Sequence, residues 1–164
     1  MLNKKEETFR ELFSEHYAMV VKVCRLYSDS EEDNHDNIQE VALQLWKSFD
    51  SFEGRSKIST WIYRVALNVC MFQLKKRKRN RKVKDEWLEH IPEDDLERKK
   101  ELEEQSGILS DAIKQLKEID RAIILLYLEE VPYKEISEIL GITVTNVGAR
   151  INRIKTRLKE IIHG

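Results

Sequence analysis

The sequence predicts an all-α protein made of two small helical domains joined by a charged flexible linker, the second domain containing a helix-turn-helix. Three observations predict it. Glycine and proline are scarce, 5 and 2 in 164 residues, which leaves little turn material for many short strands. Apolar residues recur at steps of three and four over long stretches. From about residue 80 to 105 the recurrence fails, and apolar side chains are too few among dense charge to bury a core. The expected boundaries are 1–80, 81–105 and 106–164.

Phe9, Leu12, Phe13, Tyr17, Val20, Val21, Cys24 and Tyr27 recur as in one amphipathic helix of about five turns. The acidic run 29–36, with Asp33 and Asn34, is expected to break and re-cap the chain. A second helix then carries Ile38, Val41, Ala42, Leu45 and Phe49 inward. Its other side shows Asp36, Gln39, Glu40, Leu43 and Trp46. A large aromatic away from the apolar stripe exceeds what solvation requires and points to a partner surface. Residues 52–57 read as a loop. A third long helix follows, capped by Ser56 or Ser59, with Ile58, Ile62, Val65, Val69 and Phe72 inward and Trp61, Arg64 and Asn68 on neighbouring faces.

Within the linker the apolar positions are Val83, Trp87, Leu88, Ile91, Leu96 and Leu102, with partial helix expected over 94–104. Beyond it, Ile108, Ile113 and Leu116 restore the helical period. A nearly all-apolar helix spans 122–128 behind Asp120 as its expected N-cap, and Pro132 closes it.

The net charge of −1 hides strong segregation along the chain. Residues 75–84 hold eight basic residues and no acid, residues 85–104 set ten acids against three bases, and from Gly141 onward five bases face Glu160 alone. Two positive surfaces on one chain can neutralise phosphates at two places along a duplex.

The stretch 133–147, YKEISEILGITVTNV, fits a helix-turn-helix position by position. Ser137 is small where a second helix crosses, Gly141 can take the left-handed conformation that ends the first helix, and Ile142 plugs the angle between them. Thr143 or Thr145 supplies the next cap. Val144, Val147, Ile151, Ile154, Leu158 and Ile161 face inward, while Asn146, Arg150, Arg153 and Arg157 line an outward stripe. Arginine and asparagine pair bidentately with guanine and adenine edges. Beside the basic tract 75–84, the aromatics of the preceding helix and loop add faces on which unpaired bases can stack.

Cys24 and Cys70 sit in apolar helical patterns and are expected as small core hydrophobes in a reduced, cytosolic protein with no secretory leader. His16, His35, His90 and His163 are scattered, so no metal site is expected. With no Gly-rich phosphate loop, nucleophile elbow or carboxylate pair, no enzyme, cofactor or small-molecule substrate is expected either.

Two separated segments resemble the extracytoplasmic-function (ECF) sigma factors of bacterial RNA polymerase. Residues 36–46, DNIQEVALQLW, are similar to the family's polymerase-binding helix. Phe52 and the run STWIYRVALN at 59–68, with the basic tract, resemble the segment that reads and opens the minus-ten element, and the helix-turn-helix resembles the minus-thirty-five reader. The resemblance implies that Asp36, Gln39, Glu40, Leu43 and Trp46 dock on the clamp of the polymerase largest subunit. It implies that Phe52, Arg55, Ser56, Lys57 and Ile58 hold an extruded base of promoter DNA, supported by Trp61, Arg64, Asn68, Lys75, Lys76 and Arg77. Minus-thirty-five contacts would come from Tyr133, Thr143, Thr145, Asn146, Ala149, Arg150, Asn152, Arg153 and Arg157. An anti-sigma factor is implied as a further partner, one able to hold the protein at the inner membrane.

The chain departs from the family pattern at Gly148-Ala149, where members often carry Lys or Arg followed by Ser. Recognition is therefore expected to rest on Asn146, Arg150, Asn152 and Arg153, unless Gly148 lets the backbone approach DNA closely. The alternative function is a helix-turn-helix regulator that binds duplex without a stable polymerase complex.

Overall fold

The structure, a computed structural model, describes residues 3–87 and 107–164, with side chains over 3–81 and 107–164. Partial helix over 94–104, the positions Leu88, Ile91, Leu96 and Leu102, and His90 all lie outside the described residues. Among the described residues there are helices and turns and no strand, as the all-α expectation requires.

The first amphipathic stretch is two helices rather than one. α1 (Lys4–Glu15) starts with a capping box between Asn3 and Glu6 and buries no residue completely, and α2 (Tyr17–Leu26) buries Val20, Val23, Cys24 and Leu26. His16 breaks them at φ −105°, ψ 9°, and its ring Nδ1 lies 2.9 Å from the Leu12 carbonyl. Tyr17, expected inward, is exposed because the break turns it out of the α2 stripe.

α3 (Glu31–Ser48) begins earlier than expected. Ser30 accepts a hydrogen bond from the Asp33 amide, and Glu31, Glu32 and Asp33 occupy the first turn. Acids there meet the positive end of the helix dipole, so the acidic run starts a helix instead of breaking one. Asn34 and Asn37, assigned no inward role by periodicity, are buried beside Val41 and Leu45.

A 3-10 turn (Phe49–Ser51) and the loop 52–57 lead to α4 (Ile58–Trp87), a helix of 30 residues that continues through the basic tract, past the expected linker start at 81. Neither expected serine caps it. The Trp61 amide bonds to the Lys57 carbonyl, Ser59 falls inside the first turn, and the Ser56 hydroxyl donates to the Lys57 carbonyl. Its buried stripe is Ile62, Tyr63, Ala66, Leu67, Cys70 and Leu74, so Ile58 and Phe72 are exposed rather than inward. The small residues Ala66 and Cys70 allow close approach of α2 and α3 and set the centre of the contact, which rotates Val65 and Val69 to its rim. Cys24 and Cys70 are free thiols within this core, Sγ to Sγ 3.7 Å. The hydrogen bond that the Cys70 thiol donates to Cys24, together with burial, pushes that thiol up.

The second domain stacks α5 (Ile108–Lys114), α6 (Glu118–Leu128), α7 (Tyr133–Leu140) and α8 (Val144–His163). α6 starts two residues before Asp120, which lies in its first turn rather than capping it. Ala122, Ile123, Ile124 and Leu126 meet Ile136 and Ile139 of α7 and Val147, Ile151, Ile154 and Leu158 of α8 in one core. Val144 is exposed, contrary to expectation, because it opens α8 before the helix meets that core.

The two domains touch. α7 lies on α4, and α5 and α6 lie on α2. The Tyr27 hydroxyl donates to the Glu118 carbonyl at 2.6 Å, Lys114 donates to the Ser28 carbonyl at 3.0 Å, and Arg121 to that of Leu26 at 3.3 Å. Cations of one domain thus satisfy the free carbonyls at the end of α2 in the other.

Candidate nucleic-acid interface

The turn of the helix-turn-helix is built as its residues require. Gly141 ends α7 at φ 69°, ψ 32°, its amide bonded to the Ser137 carbonyl, and the Ser137 hydroxyl donates to the Ile142 carbonyl at 2.7 Å. Thr143, not Thr145, caps α8 by accepting from the Asn146 amide at 3.1 Å. Thr145, Ala149, Asn152, Arg153 and Arg157 are exposed along the outer face of α8.

Arg150 and Asn146 differ from this picture. The Arg150 Nε donates to Asn146 Oδ1 at 3.0 Å and its Nη1 lies 3.3 Å from Asp120 of α6. Both side chains are half-buried, so Arg150 bolts α8 to α6 instead of standing free. Arg150, Arg153, Arg157 and Lys117 rim a hollow with Asp120, a cationic concavity of about 280 Å³. Lys155, counted among the C-terminal bases, donates to the Tyr127 hydroxyl at 2.8 Å and lies 4.4 Å from its ring centre. Tyr133 sits over Gly148, where an added Cβ would lie 3.7 Å from the Tyr133 ring. The glycine therefore faces a tyrosine of its own domain.

On the first domain, Phe52 folds back and stacks on Trp61, ring centres 4.8 Å apart and 26° from parallel. Arg55 pairs with Glu53 at 2.8 Å in the exposed loop, Ser56 is half-buried, and Ile58 is exposed at the start of α4. Lys57 pairs with Glu135 of α7, whose hydrogen bond and charge hold its ammonium above the usual lysine range. Arg64 donates to the Glu138 carbonyl, also on α7, at 2.7 Å. Asn68 is exposed and lines an open groove of about 580 Å³ between α3 and α4 with Glu40, Gln44, Val65 and Phe72.

Lys75 and Lys76 are exposed, but Arg77 turns inward with 19% of its side chain accessible. It donates to Asn37 Oδ1 at 3.1 Å and to the Tyr27 carbonyl, and lies 3.5 Å from Asp33. This corrects its expected place among the phosphate contacts: it locks α4 to the ends of α2 and α3. Phe72 is the exposed aromatic that periodicity missed, 61% accessible. Its position four residues after Asn68 and eight after Arg64 was the available signal, since those spacings share one helix face.

On α3, Asp36, Gln39 and Leu43 form an open stripe, Leu43 being 43% exposed. Glu40 accepts from Gln44 at 3.0 Å and is half-buried. Trp46 already has a partner within the chain, because Phe9 meets its ring edge-on at 5.2 Å and the Lys5 ammonium lies 4.2 Å from its centre. Part of the surface that sequence reasoning offered to a partner is covered by α1. Among the described residues no helix is long and apolar enough to cross a membrane.

Comparisons with known proteins align with this layout. The family model for Sigma-70 region 2 matches residues 12–80, and that for Sigma-70, region 4, matches residues 106–158. The chain is 29% identical over 168 residues to the ECF RNA polymerase sigma-E factor of Haemophilus influenzae, covering 96% of this chain and 88% of that one. It is 25% identical over 169 residues to ECF RNA polymerase sigma factor SigW of Bacillus subtilis, covering 94% and 89%. To the SigG sigma factor of Mycobacterium tuberculosis it is 38% identical over 56 residues, a match spanning 34% of this chain and 15% of that relative. Among solved structures, the fold is similar to sigma factor RpoE in complex with the anti-sigma factor NepR from Bartonella quintana, with TM-score 0.71, 20% identity and coverage of 96% and 98%. CnrH in complex with the cytosolic domain of CnrY gives TM-score 0.69 at 20% identity, covering 96% of this chain and 88% of that one.

Proposed function

Because the chain belongs to the ECF sigma factors of the sigma-70 family, we propose that it binds core RNA polymerase and directs promoter-specific initiation, with the first domain docking and reading the minus-ten element and the second reading the minus-thirty-five. The observation that carries this reading is the division of surfaces. An open acidic and apolar stripe on α3, an aromatic and cationic face on α4, and a cationic face on α8 lie on different helices. A one-site duplex binder has no use for the first two.

In this reading Asp36, Gln39 and Leu43 meet the clamp of the largest subunit, with Glu40 and the free edge of Trp46 beside them. A base leaving the duplex costs a few kcal/mol of stacking, which a pocket with aromatic faces offsets. Phe52 on Trp61 supplies such a face, with Arg55, Ser56, Lys57 and Ile58 around it. Arg64, Asn68, Phe72, Lys75 and Lys76 continue the track along α4. Asn152, Arg153, Arg157, Thr143, Thr145, Ala149 and Tyr133 approach the duplex from the second domain, positioned by Arg150 and Asn146. The protein contributes no catalytic chemistry of its own. It works in the cytoplasm, under an anti-sigma factor like those named with its structural neighbours.

Run-off transcription with purified core polymerase on genomic promoter fragments tests the proposal. Specific transcripts that depend on this chain are expected. Leu43→Ala should lower affinity for core whatever the promoter, without disturbing packing, since the side chain is exposed. Arg153→Ala should lower initiation mainly where the minus-thirty-five element matters. Tight, specific duplex binding by the chain alone, with no complex with core, would instead establish a simple regulator.

A further inference from the structure

The hollow between α6 and α8 differs in build from the DNA-facing stripe beside it. Its floor is apolar, formed by the buried Leu116 and Ile154. Its rim is cationic, with Lys117 just ahead of α6 and Arg150, Arg153 and Arg157 on successive turns of α8. The one acid on the rim, Asp120, is already held by Arg150 at 3.3 Å. Arg157 reaches only its exposed neighbour Glu160, at 3.5 Å, a pair that solvent screens. Like charges gathered round a concavity repel one another, and an anion entering it relieves that repulsion.

A duplex fills such a space poorly. Its phosphates are spaced along a convex surface, and the part of α8 proposed above to meet a groove is the outer stripe Thr145, Ala149 and Asn152. The hollow lies to one side of that stripe, and Lys117 belongs to the connection between α5 and α6, outside the helix-turn-helix. Its volume, about 280 Å³, falls just below the range of roughly 300 to 1,000 Å³ that holds drug-sized ligands. It suits a short chain of phosphates.

We propose that this hollow binds a small polyphosphate, free or as the tail of a nucleotide, and that its occupation competes with minus-thirty-five recognition because Arg153 and Arg157 serve both. The competition rests on the sigma-factor reading above, whereas the binding itself does not. Phosphate oxygens accept charge-assisted hydrogen bonds from the guanidinium forks and from the Lys117 ammonium. With those cations neutralised, a duplex gains less from counterion release on the second domain. The first domain is untouched.

Isothermal titration of the full chain with inorganic tripolyphosphate, at physiological salt where diffuse attraction is screened, tests the binding. One saturable site is expected. Lys117→Gln should weaken it about threefold to tenfold, while Lys134→Gln, the same charge change at an exposed position of α7, should leave it unchanged. The Lys117 side chain makes no capping hydrogen bond to α6, so its replacement should not move the melting temperature. The absence of a saturable site, or an equal loss in both variants, overturns the proposal and leaves general electrostatics. Adenosine triphosphate in place of tripolyphosphate distinguishes the sources, equal affinity identifying the phosphate chain alone and tighter binding a nucleotide.

A second arm follows the chain with core polymerase on a labelled minus-thirty-five-dependent promoter, by anisotropy without nucleotides. Tripolyphosphate should inhibit promoter binding, and Lys117→Gln should raise the concentration required about threefold to tenfold. If Lys117→Gln weakens promoter binding with no tripolyphosphate present, the hollow seats a DNA phosphate and the proposal falls. If titration shows the site but no complex with core forms, the sigma reading falls and the site stands. Promoter-dependent run-off by a chain without a saturable site is the converse.

Discussion

Arg77 shows how one side chain in a basic tract can do different work from its neighbours. It shares the run with Lys75, Lys76 and Lys78, and by composition all four read as solvated or phosphate-facing. Position decides otherwise, because Arg77 sits one turn beyond Leu74 and two beyond Cys70 and so inherits the inward face of α4. There it meets a buried amide, Asn37, which itself donates to the Ser28 hydroxyl at 3.0 Å. Removing the guanidinium leaves the Asn37 oxygen and the Tyr27 carbonyl short of a donor. An unsatisfied buried polar group costs about 1 to 3 kcal/mol, so Arg77→Ala should lower unfolding free energy by that amount in a urea titration. Lys76→Ala, at an exposed position, should leave the titration unchanged and instead flatten the salt dependence of DNA binding if the proposed phosphate contact is made there. A stable Arg77→Ala protein with a flattened salt slope would return Arg77 to the DNA face. Sequence reasoning could not separate these residues, because a phosphate-seeking arginine and a core-locking one have the same chemistry until the helix register is known.

The helix-turn-helix is the element most legible in the sequence, and its two glycines show why. Its geometry is local: a cap, a left-handed residue and a small residue at a crossing each leave a mark within fifteen positions. Gly141 takes φ 69°, a conformation that costs an L-residue with a side chain about 1 to 2 kcal/mol. Gly148 lies inside α8, where glycine itself costs roughly 1 kcal/mol against alanine. A Cβ there would be in ordinary contact with the Tyr133 ring at 3.7 Å. The two substitutions should therefore move stability in opposite directions, Gly141→Ala destabilising by about 1 to 2 kcal/mol and Gly148→Ala raising the melting temperature by about 2 to 4 °C. Thermal unfolding followed by circular dichroism reads both. The less legible elements were those set by packing partners. The α1–α2 break at His16, with no glycine or proline to mark it, and the stripe of α4, centred on Ala66 and Cys70, follow from how neighbouring helices approach.

At the scale of the molecule, the two domains and their helical class follow from composition and period, but their mutual placement does not. Lys57, Lys78, Glu118 and Glu135 are separated in sequence by 40 and 78 positions, and a pairing at that distance has no periodic signature. The placement nonetheless has a definite dependence on pH. Glu118 is held below the usual carboxylate range, first by its hydrogen bond from Lys78 and then by its own backbone amide and the Lys78 and Arg121 charges, against its partial burial. A depressed carboxyl stabilises the paired state above its ordinary pKa of about 4.3 and loses that contribution as pH falls through its lowered value. Lys57 is shifted upward by Glu135, so its contribution is complete below the ordinary lysine range and is lost only as pH climbs through the raised value. The contact between domains should therefore be insensitive to pH across neutrality and loosen on the acid side. Small-angle scattering should show the radius of gyration constant from about pH 6 to 9 and rising as acidity takes the carboxylates through their range. Exposed ion pairs are screened by salt, whereas the Tyr27 hydroxyl on the Glu118 carbonyl, in a fully buried ring, is not. Salt at neutral pH should thus imitate acid only in part, and Tyr27→Phe should make the two treatments equivalent. A radius of gyration that changes with neither salt nor acid would mean that apolar packing between α4 and α7 holds the domains together without help from the charges.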